Sequence, residues 1–171
     1  MNLPKNVKIS LDKKYKNLLR YCYHCASKSN HPSTHNSALL VKNEKIILVG
    51  KNIFPKGVKS TKERINGKNK HIYLNHAERD LIYKAAKSGI KTNGLTIVMP
   101  WLSCIQCANA IISSGIKKLI VHKQMIERTR KEWQKELKDA VKIMEEARIK
   151  IIVYNGVVGE KAYMHGKEWN A

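Results

Sequence analysis

The sequence predicts an α/β fold built on a five-stranded mixed sheet, and three observations lead to this prediction. Short apolar runs occur at five places along the chain. Amphipathic stretches with helical spacing lie between several of them, and the last separates two strands by the length of a crossover connection. A chain of 171 residues is also long enough to bury a substantial core. We therefore expect a single domain over residues 1–171, with its core at about 10–154 and a polar C-terminal tail over 155–171.

The first part of the core is predicted to be a helix followed by a β-hairpin. Apolar residues recur at helical spacing as far as Ala26, and Ser10 before them is predicted to be the N-cap. Residues 27–35 are polar and are expected to form a loop. Two apolar runs, at 38–41 and 46–49, are separated by four polar residues, which predicts two antiparallel strands joined by a short turn.

A basic connector follows the hairpin. Residues 50–70 show no regular spacing of apolar side chains, and the part from 56 to 70 is rich in Lys. This part contains no aromatic residue on which a nucleic-acid base could stack. We therefore interpret residues 56–70 as a mobile, solvated loop rather than as a nucleic-acid surface.

In the rest of the chain, predicted helices alternate with predicted strands. Helices are predicted at 75–88, 103–114 and 126–148. Strands are predicted at 95–99, 119–121 and 151–153. Ser103 has Gln106 three residues later, a capping-box arrangement for the helix that follows. Because the last long helix lies between the last two strands, we expect these strands to be parallel, with a right-handed connection.

The composition favours anionic partners. Lys and Arg number 33 against 13 Asp and Glu, which gives a formal net charge of +20. This excess suits nucleotides, nucleic acid or acidic surfaces, and does not choose among them. No apolar run approaches the ~20 residues of a membrane span, and residues 1–5 lack the apolar core of a signal peptide. We expect a cytoplasmic protein without a membrane partner.

One stretch, from His76 to Cys107, combines residues that suit a catalytic zinc site. His76, Cys104 and Cys107 would supply three ligands and leave the fourth tetrahedral position open. Each lies at a predicted helix start, where the helix dipole favours thiolates. Zinc lowers the pKa of a bound water to about 7, so hydroxide is available for attack on an amidine carbon. Glu78 lies two residues from His76, close enough to carry protons without being a ligand.

Other interpretations of the cysteines stay open at this point. A Cys-x-x-Cys pair alone could be a redox pair or part of the core, and the nearby His-x-Glu is what favours zinc. A second group could supply a structural zinc or bind nothing. It comprises Cys22, His24, Cys25, His31 and His35. Cys22 lies on the apolar face of the first predicted helix, where a buried thiol is common. We expect one catalytic zinc and no second, structural zinc.

With these residues, the chain resembles the deoxycytidylate (dCMP) deaminase family of the zinc-dependent cytidine deaminase superfamily. The similarity includes the two zinc segments, residues 50–58 after the hairpin, and Trp169 near the end. It covers most of residues 27–169. The resemblance implies a three-layer α/β/α fold with strand order 2-1-3-4-5. It also implies conversion of dCMP to dUMP with release of ammonia, in which zinc-bound hydroxide attacks C4 and Glu78 shuttles protons.

The resemblance implies further contacts and partners. Asn52 would contact the sugar and base of the substrate, and the backbone at Ala77 would contact the pyrimidine. Ser103 stands where the family usually has proline, next to the first zinc cysteine, at backbone that contacts the leaving amine. The family forms homo-oligomers, from dimers to hexamers, and some members respond to dCTP and dTTP.

Two other functions remain as alternatives. A deaminase of the same superfamily could act on polynucleotide, either tRNA adenosine or single-stranded DNA cytosine, and would use the charge of +20. A zinc protein that has lost catalysis could bind nucleotides, although the intact ligand set and acid argue against this. The sequence does not separate three candidates for binding the substrate phosphate, which are Lys28, Lys56 and Arg64.

Overall fold

The fold contains a central sheet of six strands. The structure is a computed structural model that describes residues 7–29, 31–66 and 70–171. The strands of the main sheet are β1 (Lys8–Ser10), β2 (Ser37–Lys42), β3 (Lys45–Lys51), β4 (Thr96–Val98), β5 (Lys118–His122) and β6 (Lys150–Tyr154). Their spatial order is β1-β6-β5-β4-β2-β3. A separate hairpin consists of β7 (Lys161–Met164) and β8 (Lys167–Asn170).

Seven helices are assigned within the described residues. They are α1 (Lys13–Ala26), α2 (Lys62–Asn66), α3 (Lys70–Tyr73), α4 (Ala77–Lys87), α5 (Ile105–Ser113), α6 (Lys123–Glu127) and α7 (Lys131–Glu146). None of the helices in these described ranges is long and apolar enough to cross a membrane.

Two apolar clusters on opposite faces of the sheet produce three layers. Leu39 and Leu40 are neighbours in β2, so their side chains point to opposite faces. Leu39 packs in a cluster with Leu19 and Tyr23 of α1. Leu40 packs in the other cluster with Leu81 of α4 and with residues of α5 and α7. The expected three-layer α/β/α fold is therefore confirmed.

The order of the five predicted strands is also confirmed. These strands correspond to β2 through β6, and their order β3-β2-β4-β5-β6 equals the expected 2-1-3-4-5. Strand β2 is antiparallel to β3 and β4, whereas β4, β5 and β6 are parallel to one another. The crossovers between the parallel strands contain α5, α6 and α7.

The expected strand count is wrong by one, because β1 was not predicted. Lys8–Ser10 pairs in parallel with β6, with Lys8 opposite Ile152. Three residues are too few to show a periodic pattern, so the sequence predicts Ser10 as a helix cap and not as part of a strand. The N-cap is Asp12, whose side chain accepts a hydrogen bond of 3.0 Å from the Lys14 amide. Asp caps a helix as well as Ser does, and this caps α1 two residues later than expected.

The predicted helix over 126–148 is two helices, α6 and α7. Arg130 between them has extended backbone, with φ −61° and ψ 152°, and is the N-cap of α7. The buried Thr129 holds this break in place, because its hydroxyl accepts from the Trp101 indole at 2.8 Å and its carbonyl from Gln134 at 3.2 Å. The apolar periodicity of the sequence continues across this break, so it does not indicate where α6 ends and α7 begins.

The connector and the C-terminal tail contain more structure than predicted. The connector includes α2, and α3 begins at its last residue, while residues 67–69, like residues 1–5, lie outside the described part of the chain. The residues after 154 include the hairpin of β7 and β8, which docks on the loop before β2. The amide of His35 donates to the Tyr163 carbonyl at 2.9 Å, and the amide of Gly166 donates to the Ser33 carbonyl at 2.9 Å. The tail is thus packed against the body of the protein.

Gly50 sets the distance between β3 and α4. A Cβ atom at this position would overlap the Ala77 carbonyl oxygen and lie 2.6 Å from the Leu81 amide nitrogen. Both are backbone atoms, so they cannot move unless the helix moves. The same contact is reinforced by Asp80, whose carboxylate accepts from the Lys51 amide at 2.9 Å.

Replacing Gly50 by Ala is therefore expected to destabilise the protein by about 1–3 kcal/mol, the usual cost of overpacking. The displaced helix begins next to His76, so zinc affinity should fall as well. Urea unfolding and zinc titration check this result. Gly159→Ala is the matched control, because its φ of 82° causes backbone strain but no atom lies within 4 Å. Equal zinc affinity of the two variants would contradict the proposed role of Gly50.

Candidate active site

Two helix N-termini meet at the edge of the sheet where β3, β4 and β5 end. His76 is the N-cap of α4 and Cys104 is the N-cap of α5, and neither side chain caps its own helix. Both residues have extended backbone, with ψ of 155° and 170°, respectively. Cys107 lies one turn into α5. The Nδ1 atom of His76 is 3.5 Å from the Sγ atom of Cys104 and 3.5 Å from that of Cys107.

This geometry fits a tetrahedral zinc ion. Zinc is bound by nitrogen at about 2.0–2.1 Å and by sulfur at about 2.3 Å, which places such ligands about 3.5 Å apart in a tetrahedron. The three ligand atoms all lie within 4.8 Å of one another. Within residues 7–29, 31–66 and 70–171, this is the one group of His, Cys, Asp and Glu side chains placed to hold a metal ion.

The two thiols of the site influence each other's pKa through a hydrogen bond. The hydrogen bond from Cys107 lowers the pKa of Cys104 to about 4, and His76 lowers it further against the effect of burial. The pKa of Cys107 is raised, because its thiol donates this hydrogen bond to Cys104 and because it is buried. Burial lowers the pKa of His76, but the hydrogen bond to Cys104 and the Glu78 charge outweigh it and leave the pKa raised. A bound metal would have to displace these protons, so its affinity should increase with pH.

Glu78 is buried beside the ligand set, with 3% of its surface exposed. Burial raises the pKa of its carboxyl group, and the nearby His76 partly offsets this effect. Ser103 also contributes a hydrogen bond to the carboxylate. A carboxyl group with a raised pKa can both accept and return a proton near neutral pH.

Ser103 does not cap α5, so the predicted capping box is wrong. The helix begins one residue later, and Ser103 is completely buried, with its hydroxyl 3.8 Å from the sulfur of Met99. The first free amide of α5, at Ile105, instead donates to the carboxylate of Glu136 in α7 at 3.3 Å. Glu136 was not identified from the sequence, because it lies 31 residues away on a different helix.

These groups open into a cavity of about 270 Å³. The starts of α4 and α5 form one wall, and the loop before β2 forms another. The third wall comes from the segment after β4, the start of α7 and the turn of the C-terminal hairpin. The lining residues of this third wall include Trp101, Arg130, Glu132, Trp133 and His165. Such a volume suits one small ligand.

Asn52 lies in the cavity wall, but its amide group also holds the adjacent loop. The Nδ2 atom donates to the Thr34 carbonyl at 2.6 Å. The Oδ1 atom accepts from the Ser29 hydroxyl at 2.6 Å and from the Asn36 amide at 2.8 Å. Asn52 therefore shapes the wall formed by this loop. Ala77 lines the same cavity at the start of α4 and is completely buried.

The three phosphate candidates are not among the described residues that line the cavity. Arg64 donates instead to the Lys59 carbonyl at 3.0 Å and lies over the Tyr73 ring at 5.1 Å. Sequence reasoning missed the third wall. Trp101 lies three residues before Cys104 and could have been found by this proximity, whereas the sequence gives no signal for His165.

The second cysteine pair lies elsewhere. Cys22 is buried between α1 and the sheet, where its thiol lies 3.0 Å from the Ser37 hydroxyl and burial raises its pKa. His31 lines the cavity, and its Nδ1 atom accepts from the amides of Ser33 at 3.2 Å and Thr34 at 3.1 Å. The group considered for a structural zinc is thus divided between the core under α1 and the cavity wall.

A His and two Cys at helix starts, beside a buried Glu on a three-layer α/β/α frame, define the cytidine-deaminase-like class of proteins. The chain belongs to the cytidine and deoxycytidylate deaminase family, because the model of the zinc-binding region of that family matches residues 12–123. The predicted family is therefore confirmed.

Known relatives agree with this assignment. A deaminase encoded in the luxG 3′ region of Aliivibrio fischeri is 31% identical over 96 residues, which are 56% of this chain and 63% of that protein. The chain thus spans less than two thirds of that relative. The dCMP deaminase of cyanophage S-TIM5, solved with dCMP and dUMP, superposes with a TM-score of 0.63 at 18% identity, over 86% of this chain and 100% of that one.

A diaminohydroxyphosphoribosylaminopyrimidine deaminase/5-amino-6-(5-phosphoribosylamino)uracil reductase from Thermotoga maritima gives a TM-score of 0.59 at 23% identity. The match covers 82% of this chain and 36% of that one. At such identities the two solved structures establish the shared fold alone.

Proposed function

We propose that the protein is a zinc-dependent hydrolase that converts dCMP to dUMP and releases ammonia. The observation that carries this proposal is the placement of His76, Cys104 and Cys107 around one point, with Glu78 buried beside them. A zinc ion held by these three residues would supply an activated water for attack on the pyrimidine carbon that bears the amine. Hydrolysis replaces the C4–N bond by a C4–O bond, and ammonia leaves.

Glu78 is assigned the proton transfers. It would take a proton from the attacking water and deliver it to the ring nitrogen next to C4. It would then take the second proton of that water and give it to the departing amine. Its buried position and raised pKa support both directions of transfer.

Three further residues are proposed as substrate contacts. The backbone at Ala77 is assigned to the pyrimidine, since it lies in the cavity between His76 and Glu78. Asn52 is assigned to the sugar and base from the same cavity wall. The backbone at Ser103 is assigned to the leaving amine, because Ser103 immediately precedes Cys104. The Ser103 side chain is itself completely buried.

The choice of dCMP over a polynucleotide rests on two supports. The cavity of about 270 Å³ suits a single nucleotide. The cyanophage protein of similar fold is a dCMP deaminase and was solved with dCMP and dUMP. The net charge of +20 favours the second candidate, a deaminase of the same superfamily that acts on tRNA adenosine or single-stranded DNA cytosine. Such an enzyme would have to bring a base out of its strand into the cavity.

An ammonia-release assay separates these candidates. It compares dCMP, CMP, deoxycytidine, dCTP and a cytosine-containing oligonucleotide, with an adenosine-containing tRNA stem-loop as a further substrate. We expect dCMP to give the highest kcat/KM. Activity on either nucleic acid, with none on dCMP, would overturn the proposed substrate.

We also propose that residues 1–171 act as one deaminase domain that forms homo-oligomers, from dimers to hexamers. Large apolar side chains that remain exposed support association, and they include Ile47, Ile72 and Tyr83. Sedimentation velocity tests this part, and a monomer at micromolar concentration would contradict it.

A further inference from the structure

Arg130 stands out among the residues that line the cavity because of its charge. Of the described lining residues it is the one Lys or Arg side chain. The cavity therefore has a single strongly basic group, even though the whole chain carries 33 Lys and Arg. Among the described lining residues, Arg130 is therefore the one cation that could bind the phosphate of a nucleotide in this cavity.

The backbone at Arg130 explains why the side chain reaches the cavity. The residue is the extended N-cap of α7, at the break between α6 and α7. The break itself is held by the hydrogen bond between Trp101 and Thr129. An unbroken helix over 126–148 would have placed residue 130 within a helical turn, so this orientation depends on the departure from the predicted helix.

The interactions of Arg130 leave its guanidinium available to a ligand. Its ion pair with Glu132 is long, at 3.9 Å, and both side chains are more than half exposed. Exposed ion pairs of this kind contribute little to stability, so a ligand can replace them at little cost. A guanidinium group can donate two parallel hydrogen bonds to a phosphate, which a Lys ammonium cannot do.

The neighbours of Arg130 suit the rest of a nucleotide. Trp101 and Trp133 contribute aromatic surface to the same wall of the cavity. His165 closes this wall from the hairpin turn, where its ring packs edge-on against Trp101 at 6.1 Å and its Nε2 atom lies 3.3 Å from the Arg128 carbonyl. Glu78 and the ligand set come from the starts of α4 and α5, whereas Arg130 comes from the start of α7, so base and phosphate can contact different elements around the cavity.

We propose that Arg130 binds the 5′-phosphate of the substrate and so makes the enzyme selective for a nucleotide over a nucleoside. This inference rests on the proposed function, since it takes the base of the ligand to lie beside Glu78. It replaces the three candidates from the sequence, none of which is a described lining residue.

Steady-state kinetics of the Arg130→Gln variant test this proposal. We expect its KM for dCMP to rise about 10- to 100-fold with little change in kcat, because hydrogen bonds between charged groups are lost. Its kcat/KM for deoxycytidine, which has no phosphate, should equal that of the wild type. Lys131→Gln is the matched control, since it removes the same charge from the next residue, which is not a described lining residue. The control should behave as the wild type with both substrates.

Two outcomes would overturn the role of Arg130. One is an equal loss in Arg130→Gln and Lys131→Gln, which would indicate a general effect of charge. The other is an equal loss on dCMP and deoxycytidine, which would indicate damage to the cavity itself.

Measuring the affinity for the product tests the role of Arg130 without requiring turnover. Titration with dUMP and with deoxyuridine, followed by tryptophan fluorescence, compares the affinities of the three proteins. Arg130→Gln should lose affinity for dUMP alone. If the wild type fails to deaminate dCMP, the proposed function is overturned, and the titration still decides about Arg130. Unchanged dUMP affinity in Arg130→Gln would overturn the inference even in an active deaminase.

Discussion

Glu78→Gln is expected to reduce deamination by at least about 100- to 10,000-fold, the usual contribution of general acid–base catalysis. Gln has nearly the same shape as Glu and can keep hydrogen bonds in the buried site, but it cannot carry a proton. Both the attack of water and the departure of ammonia are assigned to this one carboxyl group, so we expect the upper part of the range. The measurement is kcat for ammonia release from dCMP, together with zinc content by atomic absorption.

The zinc content of Glu78→Gln should stay at that of the wild type, because Glu78 is not a member of the ligand group. Glu127→Gln serves as the control, since Glu127 is exposed and pairs only with Lys123 at 3.7 Å among the recorded ion pairs of the described residues. A Glu78→Gln protein with more than a few per cent of wild-type kcat would rule out the proton-transfer role. A variant that lost its zinc would instead show that Glu78 helps to hold the metal.

Cys104→Ala is expected to lose both the zinc and the activity. The lowered pKa of Cys104, about 4, favours its thiolate form, which is the form that binds zinc. Removing it leaves two ligands, and two ligands do not hold zinc tightly at a site of this type. Because a ligand that binds only the folded state stabilises it, added zinc should raise the Tm of the wild type but not that of the variant.

Cys25→Ala is the matched control for this change. It removes a buried thiol from α1, outside the ligand group, and should leave zinc content and the response of Tm to zinc unchanged. Thermal scans with and without added zinc provide the measurement. Full zinc retention in Cys104→Ala would contradict the ligand assignment. Loss of zinc in Cys25→Ala would show that the group around Cys22 and Cys25 binds metal.

The sequence predicted the parts of the fold that repeat a local pattern. Strands β2 to β6 are short apolar runs, and their order followed from the resemblance to a known family. The meeting of His76 with Cys104 and Cys107 followed from their position at helix starts, because a helix start after a strand points its first residues to the sheet edge.

The remaining features depend on contacts between distant segments. The strand Lys8–Ser10 is formed by pairing with β6 and has no pattern of its own. Trp133 lies at helical spacing with the apolar residues of α7, but it is 37% exposed beside the cavity. Apolar spacing indicates that a side chain faces other residues, but it does not indicate which ones. His165 reaches the cavity only because the hairpin of β7 and β8 docks on the loop before β2.

The position of the N-caps shows the same limit at a finer scale. Ser103 and Gln106 have the spacing of a capping box, yet the N-cap of α5 is Cys104 and the helix begins at Ile105. The amide that a capping side chain would satisfy is bound by Glu136 from α7. A tertiary contact thus took the place of the local one.

The most direct test of the central claim is a zinc titration of the metal-stripped protein, followed by ammonia release from dCMP. We expect no activity without metal, a rise in proportion to added zinc, and a plateau at about one zinc per chain. Full activity in the metal-free protein, or a rise that begins only after the first equivalent of zinc, would contradict the assignment of His76, Cys104 and Cys107 as the catalytic metal site.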